Sequence, residues 1–328
     1  MTTLLRNWQR RCIDAALEHF TATPHFFCQA TPGAGKTRMA AELASRLLEQ
    51  DKIDLVLCFA PSCQVVEGFR STFAAVLGRR LDGQIGAVGA AFTYQAMEYR
   101  DEGFWQLLDD YRVLVVFDEI HHCAGHDPLL SNAWGQQILC RIQDRAAFTL
   151  ALSGTPWRSD DRAIAQARYS LPERPLICDY RYGLKEAIAD GVCRSPRIVL
   201  LDNQKVKLTE ELGTDSTVRM FPSIAKLLGE SPVTYEELLR HDEVIEQLLD
   251  LGCSKLDELR QIKPDAAGLV VATDIEHAQQ IAQALGARGE GCRIVTNKTP
   301  DAQQVINAFR HGDCRWIVAV GMISEGTD

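Results

Sequence analysis

The sequence predicts an α/β protein of two parallel-sheet domains with an acidic helical segment between them. Two observations predict it. Short β-rich apolar runs alternate with longer stretches of helical period, once in the first half of the chain and again near its end, which is the pattern of strand–helix–strand units. Two of these runs, Leu55-Val56-Leu57-Cys58-Phe59 and Val113-Leu114-Val115-Val116-Phe117, are continuously apolar rather than alternating, as central strands covered by helices on both faces must be. The 328 residues suffice for two domains, each with a core of its own, since domains run to about 100–200 residues.

The elements follow in order. Strands are expected at His25–Ala30, Asp54–Ala60, Arg112–Phe117 and Ala147–Leu152, with helices at Lys36–Glu49, Ser62–Leu77 and Gln95–Asp109. A second set comes late: strands at Gly268–Thr273, Cys292–Thr296 and Arg315–Val320, separated by helices at Ile275–Leu285 and Asp301–Phe309. Between the sets, Asp202–Asp265 holds 14 acidic against 8 basic residues, includes Pro222, Pro232 and Pro264, and shows no strand pattern. It reads as a helical insert with a solvated acidic face.

Composition narrows the function. With 46% hydrophobic and 24% charged residues the chain is neither disordered nor fibrous. No apolar run reaches the ~18–20 residues of a membrane span, and the opening MTTLLRNWQRR is too polar for a secretory leader, so no membrane and a cytoplasmic location are expected. The 11 cysteines include no C-x-x-C pair and read as reduced core thiols. A net charge of -9 argues against binding nucleic acid by charge alone.

Chemistry enters at Ala30-Thr31-Pro32-Gly33-Ala34-Gly35-Lys36-Thr37, followed by Arg38, between a strand and a helix. Glycines there let backbone N–H groups curl around phosphate oxygens, Lys36 can reach β and γ phosphates, and the Thr37 hydroxyl can ligate magnesium. A turn that served packing alone would have no use for Gly-Lys-Thr. Position 30 is Ala where the strictest form of the pattern has Gly. At the end of the run Val113–Phe117 stand Asp118-Glu119-Ile120-His121. Two carboxylates at a buried strand's end are costly without a cation, so Asp118 is expected to complete the magnesium shell begun by Thr37 while Glu119 polarises water and His121 senses the nucleotide. A zinc set of His121, His122, Cys123 and His126 is disfavoured by its contiguous spacing.

The loop, the Asp-Glu-x-His and the later Ser153-Gly154-Thr155-Pro156-Trp157-Arg158 together resemble the superfamily 2 helicases and translocases. Within them the chain looks most like the DEAD/DEAH-type branch that holds the motors of type I and type III restriction enzymes. Leu5-Arg6-Asn7-Trp8-Gln9, Phe59-Ala60-Pro61-Ser62, Phe92-Thr93-Tyr94-Gln95, Leu269-Val270-Val271-Ala272-Thr273 and Met322-Ile323-Ser324-Glu325-Gly326-Thr327-Asp328 resemble further motifs in the family's order. Alone, each could be a strand end or a turn.

The resemblance implies two RecA-like domains, at 1–195 and 267–328, flanking a linker at 196–266. It implies ATP and magnesium as cofactors, with Gln9 reading adenine and Gly326 and Asp328 at the nucleotide. Nucleic acid is the implied partner, DNA more than RNA, touched through Pro61, Ser62, Thr93, Tyr94, Gln95, Ser153, Gly154, Thr155 and Thr273. Trp157 either lines that path or packs under its loop, with packing preferred. A nuclease or specificity partner is possible within a restriction complex; an RNA helicase and a nucleotide-gated scaffold remain the alternatives. The chain stops at the fifth motif without the final motif's arginine finger, so it reads as truncated, its second domain incomplete and its own hydrolysis weak.

Overall fold

The computed structural model describes residues 4–321 apart from 126–130, 159, 161, 171–174, 200–202, 204, 213–214, 297 and 313. His126 and the stretch Met322–Asp328, with Gly326 and Asp328, therefore lie outside the described residues. The chain divides into two compact units, Met1–Pro196 and Arg197–Thr327.

The first unit runs α1 (Asn7–His19), β1 (His25–Ala30), α2 (Lys36–Glu49), β2 (Leu55–Ala60), α3 (Cys63–Leu77) and β3 (Gly89–Thr93). It continues through α4 (Glu102–Trp105), α5 (Leu107–Asp110), β4 (Val113–Phe117), α6 (Ala133–Gln137) and β5 (Phe148–Ser153). A short antiparallel pair, β6 (Arg168–Tyr169) and β7 (Leu176–Ile177), precedes β8 (Tyr180–Tyr182) and α7 (Leu184–Ala189). Six strands form one parallel sheet in the order β3-β2-β4-β5-β1-β8.

The continuous apolar runs are explained by that sheet, because alternate residues of one strand enter different cores. Val56, Cys58 and Ala60 of β2, with Leu114 and Val116 of β4, meet residues of α1, α2 and α3 on one face. Leu57, Phe59, Val113, Val115 and Phe117 join Trp105, Leu108 and Ile138 on the other. All five residues of β4 are buried.

One expected helix is broken. Gln95–Asp109 is a 3-10 turn at Tyr94–Tyr99 followed by α4 and α5, because the Asp101 carboxylate accepts the Phe104 N–H at 2.8 Å and restarts the helix after Arg100 has gone extended.

The second unit corrects the expectation that the acidic segment lacks strands. It opens with an antiparallel hairpin, β9 (Val206–Leu212) and β10 (Asp215–Phe221). Val206 and Leu208 are half-buried while Lys207 and Thr209 are exposed, a period-two signal that the surrounding charges obscured. Helices fill the rest of the segment: α8 (Ile224–Glu230), α9 (Tyr235–Leu239) and the long α10 (Asp242–Ile262). Then come β11 (Gly268–Val271), α11 (Ile275–Ala287), β12 (Cys292–Thr296), α12 (Ala302–Arg310) and β13 (Trp316–Val320). The three strands form a parallel sheet ordered β11-β13-β12. Ile245, Leu249 and Leu256 give α10 an apolar stripe that packs in one core with Trp316, Val318 and residues of α11. No helix among the described residues is long and apolar enough to cross a membrane.

A candidate nucleotide site at the ends of three strands

Strands β4, β5 and β1 are neighbours in the sheet though far apart in sequence, and their C-terminal ends deliver the three loops singled out above. In open α/β sheets ligands bind at that edge. After β1, Gly33 and Gly35 take left-handed backbones at φ 73° and 90°, which brings the chain round into α2 at Lys36. At the start of a helix the first N–H groups have no carbonyl one turn back, so the turn at Lys36, Thr37 and Arg38 presents donors and the positive end of the dipole.

Loop and acidic strand end meet directly. Lys36 Nζ lies 2.8 Å from Glu119 Oε1, with both side chains about nine-tenths buried, and also donates to the Ala30 carbonyl at 3.4 Å. The other Glu119 oxygen accepts the Gly154 N–H at 3.0 Å. His121 Nδ1 lies 2.9 Å from Ser153 Oγ and 3.5 Å from Glu119 Oε2. Gly154 is needed for this approach, since a Cβ there would sit 2.8 Å from Pro32 Cδ. Asp118 is buried, its N–H donating to the Phe59 carbonyl at 2.9 Å.

Gln9 is in the assembly, turned toward the loop: its Oε1 accepts the Arg6 N–H at 2.8 Å and its Nε2 donates to the Gly35 carbonyl at 2.9 Å. Three residues without an assigned role brace the same loop. Arg6 donates to the carbonyls of Gly33 and Ala34 at 3.3 and 2.6 Å, and Trp8 Nε1 to that of Ala34 at 3.2 Å. The Trp8 ring stacks on Tyr182, centroids 4.9 Å apart, and the Tyr182 carbonyl accepts the Thr31 N–H at 3.0 Å. Burial and the Asp190 carboxylate push the Tyr182 hydroxyl up to about 12, so it stays protonated. No local signal marked Tyr182, because the contact depends on β8 joining the far edge of β1.

Other expected contacts fall differently. Tyr94 is fully buried and cannot lie on a nucleic-acid surface; its hydroxyl donates to the Asp118 carbonyl at 2.7 Å. Trp157 is 65% exposed, which overturns the preference for packing; its loop is held instead by Arg158, which donates to the His121 carbonyl and pairs with Asp160. That pairing holds the Asp160 carboxyl low, at about 2. Ser62 caps α3 by accepting the Val65 N–H at 3.3 Å, Arg38 pairs with Glu42 along α2, and Gln95 is exposed. Pro61, Thr93 and Thr155 are half-buried. Thr273 belongs to the second unit, its hydroxyl 3.0 Å from His277 Nδ1.

The donor set fits a magnesium nucleotide. The glycine backbone is curled with open space where a Gly33 Cβ would stand, a lysine is at hand, and a hydroxyl at Thr37 and a buried carboxylate at Asp118 suit a hard cation.

Residues 2–158 match the ResIII family, described as Type III restriction enzyme, res subunit. An "uncharacterized protein" of Mycobacterium leprae is 30% identical over 99% of this chain and 55% of its own length. The "DNA 3'-5' translocase XPB2" of Sulfurisphaera tokodaii is 22% identical over 90% of this chain and 66% of its own. The Sulfolobus solfataricus SWI2/SNF2 ATPase core in complex with dsDNA superposes with a TM-score of 0.47 at 11% identity, covering 98% of this chain and 79% of that one. The chain spans about half the length of the mycobacterial relatives it matches. The ResIII match takes in the phosphate loop, the Asp-Glu-x-His strand end and the Ser-Gly-Thr turn, and over those residues the chain is similar to the restriction-subunit family.

Proposed function

We propose that this chain is the ATP-hydrolysing motor of a nucleic-acid translocase acting on duplex DNA. The observation that carries the reading is the 2.8 Å contact between Lys36 and Glu119. It puts the loop's cation and the carboxylate of the acidic strand end within one site, where each has a use that packing alone does not supply.

In this reading the N–H groups of Gly33 to Thr37 hold the phosphates, and Lys36 leaves Glu119 for the β and γ oxygens. Thr37 and Asp118 would hold magnesium, which when bound would neutralise charge on the phosphates. Glu119, released from Lys36 but still aligned by the Gly154 N–H, orients the attacking water and takes up its proton. His121, tied to Ser153, reports the state of the site to the loop at 154–158. Gln9, already bonded to the loop through Gly35, stands for the adenine contact. Hydrolysis then drives movement along the nucleic acid.

DNA over RNA is favoured by the match to a relative whose name is a DNA translocase, and a nuclease or specificity partner is the companion that the restriction-subunit match suggests. The test is ATP hydrolysis by the full-length protein alone and with single-stranded DNA, duplex DNA or RNA. Glu119→Gln is expected to cut the stimulated rate about 10²–10⁴-fold while nucleotide still binds. Stimulation by RNA alone would replace the DNA reading, and binding without turnover under every condition would replace the motor with a nucleotide-gated scaffold.

A further inference from the structure

Tyr94 stands one residue past the end of β3, its ring buried and stacked on Trp134 with centroids 5.6 Å apart. The carbonyl that its hydroxyl engages, that of Asp118, belongs to the peptide leading into Glu119. Glu119 is a non-glycine residue with a left-handed backbone, φ 47° and ψ 51°. Such a conformation persists only where its surroundings over-determine it. Here the Phe59 carbonyl takes the Asp118 N–H, Tyr94 takes the Asp118 carbonyl, and Lys36 and Gly154 take the two Glu119 oxygens.

We propose that Tyr94 is a positioning residue for Glu119: by holding the Asp118 carbonyl it sets the direction in which the Glu119 carboxylate meets the attacking water. The inference rests on the hydrolytic reading above and gives Tyr94 a role other than touching nucleic acid. Of the four holds, the one from Tyr94 is the only one supplied by a side chain outside the strand ends that form the site. The neighbour of Tyr94 in the chain, Gln95, is exposed.

The hydroxyl and the ring can be separated. Tyr94→Phe keeps the ring and its stack and removes the hydroxyl, with its hydrogen bond to the Asp118 carbonyl and its contact with the Cys123 thiol. In the full-length protein at saturating nucleic acid, it is expected to lower kcat for ATP hydrolysis about tenfold, the equivalent of about 1.4 kcal/mol in the barrier. KM for ATP and the affinity for a fluorescent ATP analogue should stay within about twofold of wild type, because the loss falls on the transition state alone. Trp134→Phe disturbs the same pocket but keeps the hydroxyl, and is expected to lower the unfolding midpoint with kcat retained. A Tyr94→Phe kcat equal to wild type overturns the assignment, as does a matching loss of kcat in Trp134→Phe. Wild-type protein that hydrolyses no ATP with DNA or RNA overturns the hydrolytic reading and this assignment with it; active wild type beside an undiminished Tyr94→Phe overturns the assignment alone.

Discussion

Gly35 shows how closely one residue constrains the site. Its φ of 90° lies where an L side chain is strained, and a Cβ there would come 2.9 Å from Gln9 Nε2. Gly35→Ala therefore meets two penalties, about 1–2 kcal/mol for the left-handed backbone and the displacement of Gln9 from the loop. Nucleotide affinity is expected to fall at least tenfold, with a lower unfolding midpoint, as read by titration with a fluorescent ATP analogue and by thermal melting. An unchanged affinity would remove this loop from the site. Glu119 makes a similar point, since a strained backbone at a residue whose carboxylate is held by Lys36 and the Gly154 N–H is a cost that packing does not repay.

At the scale of elements, α11 joins a capped start to a buried base. The Asp274 carboxylate accepts the His277 N–H at 2.9 Å and pairs with Arg240, and the His277 ring is buried beside Thr273. Burial first, and the Arg240 charge second, push the His277 imidazole below its ordinary value, against an opposing pull from Asp274. The sign follows from proton binding: as pH falls through about 6.5, the unfolded histidine takes up a proton that the folded one refuses, so stability is lost. Urea midpoints of the wild type should drop between pH 7.5 and 5.5, and His277→Gln should flatten that drop. A slope identical in the two proteins would show that His277 does not contribute. The same reasoning explains why α11 was legible in advance: Asp274 opens it and Ile281 and Leu285 recur on one face, whereas Gln95–Asp109 has the right period but carries a competing cap inside it at Asp101.

For the whole molecule, the acidic balance of -9 bears on how a strand is held. Many of the arginines already have carboxylate partners, Arg112 with Asp51 and Asp54, Arg145 with Asp109, Arg288 with Glu246 and Asp250. The proposed contacts at Ser62, Thr93 and Thr155 are hydroxyls and backbone rather than cations. Duplex binding by the full-length protein should therefore weaken only modestly with salt, with a slope of log K against log[salt] of roughly -3, as few displaced counterions imply. A slope near -8 would show a basic groove instead.

Legible in the residues alone were the motifs and the periods: the Gly-Lys-Thr loop, the Asp-Glu pair, the buried character of β2 and β4, and the helices whose caps and stripes agree. These are short-range properties, written in neighbouring residues. Whatever depends on strand order came from the folded sheet. The adjacency of β4, β5 and β1 brings Lys36 to Glu119 and Gly154, β8 carries Tyr182 under Trp8 and the loop, and the end of β3 turns Tyr94 inward to Asp118. The fold also exposed Trp157 and shaped the acidic segment's first part as a hairpin. No spacing rule foretells these contacts, because a parallel sheet pairs strands through crossovers and its register joins residues that are neighbours only in space.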